Sequence, residues 1–144
     1  KRKQTMELPE EFIRYSPVEV EKRLSERMGL PWFEGMQDWD LISSDSGRIK
    51  EFLKIYKTDN LNNDEKFAMM ELIVSSFDDL VEKEDSLNHN DLWQDCKNIL
   101  THECWLHITT IHYWSSLEDE HPKDGFPITK FIRPVWNTVK TNFI

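Results

Sequence analysis

From Asn62 to Trp114 the chain runs for more than fifty residues without a glycine or a proline. Glycine and proline are the strongest local breakers of regular structure, so their absence over such a length constrains the fold more than any other feature. Asn62-Asn63-Asp64-Glu65 opens the stretch as a helix cap, with an acid three positions after the capping residue. Phe67, Met70, Val74, Phe77 and Val81 then recur at spacings of 3, 4, 3 and 4, the period of one helix face. Met69, Leu72, Ile73 and Leu80 widen that face, which predicts a central helix. After a turn at residues 86–90, Leu92, Cys96, Leu100, Cys104, His107, Ile111 and Trp114 trace a second long helix from about Asp91 to Leu117. The β-branched cluster Ile108-Thr109-Thr110-Ile111 lowers helix propensity and marks a place for a local break.

The flanks carry shorter helices. Ser16-Pro17-Val18-Glu19 reads as a start with Ser16 as the cap, running to about Met28, with Gly29 as a left-handed stop. Residues 30–45 have no helical period and read as a loop pinned by Trp32, Phe33, Met36 and Trp39. Ser44-Asp45-Ser46 begins the next helix, with Ile49, Phe52, Leu53 and Tyr56 on one side and an end near Lys57. The last segment, Phe126 to Ile144, has Ile128, Phe131, Ile132, Val135, Trp136 and Val139 at helical spacing. Pro134 falls in its middle and either kinks one helix or separates two. The expectation is an all-α, single-domain bundle of five or six helices over residues 1–144, with 1–8 a loose tail. A chain of 144 residues buries enough surface to fold without staples.

The two cysteines, Cys96 and Cys104, lie about 12 Å apart along one helix and should not form a disulfide. Reduced thiols, the lack of an apolar leader after Lys1-Arg2-Lys3 and the absence of a run of about 18 apolar residues suggest a cytoplasmic protein. The formal charge of −9, from 27 acids against 18 bases, disfavours nucleic acid and anionic membranes and suits a basic protein partner.

Catalytic patterns are missing. In His102-Glu103-Cys104-Trp105-Leu106-His107 the second histidine falls at i+5, not at the i+4 of a zinc-binding His-Glu-x-x-His helix. No nucleophile elbow occurs, and four glycines leave no phosphate-cradling loop. The expectation is no enzyme, no metal and no cofactor. One local rule is broken. Asp78, Asp79, Glu82, Glu84 and Asp85 crowd the C-terminal end of the third long segment, where the helix dipole favours cations. These five acids, together with Asp38, Trp39 and Asp40 of the aromatic loop, are the candidate partner-binding residues.

Asp64-Glu65-Lys66-Phe67-Ala68-Met69-Met70-Glu71-Leu72-Ile73 with Ser76-Phe77-Asp78-Asp79, then Trp93, Tyr113-Trp114 and Phe131-Ile132-Arg133-Pro134-Val135-Trp136, resembles small helical bacterial immunity proteins over about residues 45–137. The resemblance implies a cytoplasmic inhibitor that binds a toxin domain, such as a nuclease, and occludes its active site. The alternative is a helical structural or regulatory adaptor. Apolar stripes this wide serve a homodimer equally well.

Overall fold

The computed structural model describes residues 7–144; the first six residues of the expected tail lie outside the described residues. Seven α-helices and four short 3₁₀ turns make up the regular structure, and no strand occurs among the described residues. The chain divides into two compact units, Tyr15–Lys83 and a second formed by residues 7–14 with 84–144.

The first unit holds α1 (Val18–Met28), α2 (Trp39–Ser43), α3 (Ile49–Thr58) and nearly all of α4 (Asn63–Glu84). Helix α1 ends as its sequence predicts: Gly29 adopts φ 68° and ψ 35°, and the amides of Gly29 and Leu30 both reach Ser25 O. Its start differs. Pro17, not Ser16, is the N-cap residue, and the buried Ser16 hydroxyl makes no capping bond. A proline at the cap presents no side-chain acceptor, so the first-turn amides go without one. The aromatic segment is not entirely loop. Asp38 turns through φ 55°, and Trp39–Ser43 form α2. Burial of Trp39, 1% exposed with its indole N–H donating to Ser25 Oγ at 2.7 Å, fixes that turn against α1. Arg27–Asp59 at 3.0 Å and Arg23–Glu65 at 3.5 Å tie α1 to the end of α3 and the start of α4.

Helix α4 begins with the expected reciprocal capping box. Glu65 N–H donates to Asn62 Oδ1 at 2.8 Å, and Asn62 N–H donates to Glu65 Oε1 at 3.0 Å. Asn62→Ala is expected to cost about 1 kcal/mol, read as a lower urea midpoint at unchanged m-value. Adding Glu65→Ala should then cost much less than it does alone, because the box is already broken. From Phe67 to Phe77 every residue of α4 is buried except Glu71, which is partly so. A helix apolar all round is a helix surrounded, as the sequence predicts.

The second unit carries a 3₁₀ turn at Glu10–Phe12, α5 (Asp91–His102), α6 (Cys104–Ser115) and α7 (Thr129–Val139). Asn90 caps α5 by accepting from Trp93 N–H at 2.9 Å. The long helix expected from Asp91 to Leu117 is broken, but at Glu103 (φ −109°, ψ 34°) and not within Ile108–Ile111. Ile108, Thr110 and Ile111 are buried, and that burial outweighs a few tenths of a kcal/mol of propensity. At the break, His102 Nδ1 lies 2.8 Å from Asn98 O and competes for the carbonyl that its own amide would use. This break and α2 bring the helix count above the expected five or six.

Pro134 neither splits nor ends α7, which runs through it. The lost backbone bond is offset by the burial of Ile132, Val135, Trp136 and Val139, each worth about 1.5–3 kcal/mol. Arg133 also secures the end of α6. Its guanidinium donates to the carbonyls of Ser115 (2.7 Å), Ser116 (2.7 Å), Asp119 (2.6 Å) and Glu120 (3.3 Å). Nearby, Thr129 Oγ1 donates to Trp114 O at 2.8 Å and accepts from Phe126 N–H at 2.9 Å. Gly125 approaches so closely that an added Cβ would stand 2.8 Å from both Ser116 Cβ and Thr129 Oγ1.

Candidate functional site

The first unit brings together much of what the sequence singles out. Ser44, just past α2, donates to Asp79 Oδ2 at 2.6 Å, and Asp45 N–H donates to Ser76 Oγ at 3.0 Å. Lys83 Nζ reaches Ser46 Oγ at 3.0 Å. The segment after α2 is thus bound along the C-terminal half of α4. An open cleft of about 460 Å³ lies there, lined by Ser44, Asp45, Ser46, Asp79, Glu82 and Lys83.

The candidate acids differ in their availability. Glu82 is exposed and has no hydrogen bond or ion pair among the described residues, and the same holds for Glu84. Asp78 and Asp79 are half-buried, Asp79 held by Ser44. Asp85, in the second unit at φ 57°, pairs with Lys130 Nζ at 3.2 Å. Asp38 is exposed on the left-handed turn that precedes α2. Trp39 lies in the core, so the apolar surface of this segment comes from its neighbours instead. Leu41 is 46% exposed and Ile42 51% exposed. These two follow Trp39 and Asp40 in the same short helix, and nothing in their residue types separates an outward Leu from a core one.

A second constellation contains residues that sequence reasoning passed over. Glu21 of α1, Asp40 of α2 and Glu71 of α4 act on one another electrostatically. Burial, reinforced by the charges of Asp40 and Glu21, pushes Glu71 up to about 8 from an ordinary 4.5. Asp40 is raised to about 6, again chiefly by burial; the backbone amides of Asp40 and Leu41 oppose the rise and Asp38 adds to it. Burial raises Glu21 as well, with the Ser16 hydroxyl working against it and Asp40 with it. Asp40 and Glu21 both disfavour ionisation of Glu71, and Asp40 disfavours that of Glu21, so Glu71 is the carboxyl that most readily keeps its proton. No arginine or lysine appears among the causes that shift them. The signal available in the sequence was the position of Glu71, the one acid in an otherwise apolar run from Phe67 to Phe77.

The cysteine- and histidine-bearing helices offer no such grouping. Cys96 and Cys104 are free thiols. Cys96 is buried, and its burial holds the thiol protonated well above the ordinary range. His107 is buried, while His112 packs edge-on against Trp136 with ring centroids 5.3 Å apart. Among the described residues no three His, Cys, Asp or Glu side chains are placed to hold a metal ion. No helix among them is long and apolar enough to cross a membrane.

Compared with known protein families, with curated protein sequences and with solved structures, the chain matches none.

Proposed function

We propose that this protein is a non-catalytic inhibitory binding protein of the immunity kind, which masks a basic toxin domain, such as a nuclease. The observation that carries the reading is the pairing of Leu41 and Ile42, both about half exposed, with the acidic half of α4 through the Ser44–Asp79 bond. An apolar centre with a charged rim is the usual anatomy of a specific interface. Glu82 and Asp38 supply exposed acids on that rim, and the net charge of −9 would speed the approach of a cationic partner. The resemblance to immunity proteins supports the choice of partner class.

Co-expression with a basic toxin domain encoded beside the gene tests this reading. The native chain is expected to restore growth. A Leu41→Asp, Ile42→Asp double variant should lose about 2 kcal/mol or more of binding, roughly thirtyfold, and fail to rescue. Glu82→Lys should slow association and steepen failure at high toxin dose. Circular dichroism must show both variants folded. Rescue that survives the double variant would remove this surface from the interface. No rescue by the native chain would favour the adaptor reading.

A further inference from the structure

We infer that the second unit carries a docking groove for an acidic peptide segment, between α5 and α7. The groove encloses about 340 Å³ and lies open along one side. Leu87 and Trp93, 1% and 3% exposed, lie at its base. Lys97 comes from α5, and Lys130, Phe131 and Pro134 come from α7. Two of the lining residues are lysines and none is acidic, in a chain whose acids outnumber its bases by 27 to 18.

Charge complementarity selects the occupant. Lys97 is half-buried, and while its carbonyl accepts from Thr101 Oγ1 at 2.8 Å, its ammonium has no hydrogen bond or ion pair among the described residues. An ammonium on the groove wall without a partner of its own is open to an incoming carboxylate. Lys130 stands over the Phe131 ring at 5.4 Å and bonds Asp85 Oδ1 at 3.2 Å, and that Asp85 side chain is 92% exposed. A carboxylate of the partner can take its place at little cost, since an exposed pair contributes less than about 1 kcal/mol. Trp93 and Gln94 lie in the first turn of α5, and Lys130 and Phe131 in the first turn of α7, where the helix dipole is positive. Asp95, half-buried and two positions before Lys97 on α5, is the nearest opposing charge in sequence, and neither it nor the exposed Asp91 is among the lining residues. The apolar floor, with half-buried Phe131 and exposed Pro134, suits a bulky side chain placed between two acids.

The test is an amide-resolved NMR titration of the full chain with a blocked peptide, Gly-Glu-Phe-Glu-Gly. Saturable shifts are expected at residues 87–97 and 130–134, weakening as salt rises. Lys97→Glu should weaken binding about tenfold or more, Lys97→Gln less, and the exposed Lys54→Glu hardly at all. The same peptide with both glutamates changed to glutamine should bind far more weakly, and so should one with glycine for phenylalanine. The proposal is overturned if no saturable shifts occur, if Lys97→Glu binds unchanged while its spectrum stays dispersed, or if the glutamine peptide binds equally. Sodium acetate alone giving the same shifts at the same concentration would make the groove a small-anion site and overturn it too.

Discussion

Glu71→Gln is expected to stabilise the protein at pH 7 by on the order of 3 kcal/mol and to have no effect near pH 4. Burial, with Asp40 and Glu21 nearby, raises this carboxyl to about 8 from 4.5. Each unit of that difference is about 1.36 kcal/mol. The folded state therefore binds more protons than the unfolded chain between about pH 4.5 and 8, so unfolding free energy falls as pH rises through that window. Below it, the neutral carboxyl is tolerated; above it, the full cost of a buried anion beside two other carboxyls is present. Asp40, raised to about 6, deepens the early part of the fall. A glutamine has the shape of the protonated acid and cannot ionise, so the variant should keep only the decline that Asp40 causes up to about pH 6 and be nearly flat from there to pH 8, where the native protein goes on falling. For a chain of this size the gain at pH 7 corresponds to roughly 8 °C in Tm. Urea unfolding of both proteins from pH 4 to 8.5 checks the expectation. Curves that stay parallel across the range would show that Glu71 ionises normally, and ¹³C NMR of its carboxyl would read the same point directly.

Arg133→Ala is expected to destabilise the second unit by about 3 kcal/mol. The guanidinium satisfies four carbonyls, two at the end of α6 and two in the turn that follows. Hydrogen bonds to a charged donor are worth about 1.5–3 kcal/mol each, but the turn carbonyls can partly return to water, so the contributions do not simply add. Arg133→Lys should recover less than half of the loss. A lysine keeps the charge, yet a single ammonium cannot span a fork-shaped set of acceptors. Under this turn Phe126 stacks on Tyr113 at 5.3 Å and packs against Trp114 at 4.7 Å. Near-ultraviolet circular dichroism should therefore weaken in Arg133→Ala before the far-ultraviolet helical signal changes. Native-like stability in the alanine variant would mean that the Thr129 bonds alone hold this end of α6.

What could be read from residue order was what local chemistry decides. The Asn62–Glu65 box, the Gly29 stop and the α3 stripe each depend on residues three to five apart, and each forms where expected. Arg133 escaped notice because it recognises main-chain carbonyls, which every residue has and no letter marks. Sequence does not place Trp39 in the core, because an aromatic in an aperiodic segment has no sequence neighbour to show which way it faces; the hydroxyl it bonds is fourteen positions away. The break at Glu103 contains no glycine or proline, and the branched residues that weaken the helix are buried a turn later. Among the candidate acids, spacing along α4 could place five carboxylates near one end but could not separate Asp79, held by Ser44, from the exposed Glu82.

The three interacting carboxyls of the first unit also alter what the formal charge means. A count of −9 treats Glu71 and Asp40 as anions. With Glu71 raised to about 8, the folded molecule at neutral pH keeps a proton that the unfolded chain releases. Any event that parts α1, α2 and α4 far enough to hydrate Glu71 becomes an acid-releasing reaction. Its measured heat will then vary with the ionisation enthalpy of the buffer, and its equilibrium with pH, although the carboxyl that releases the proton lies beneath the surface.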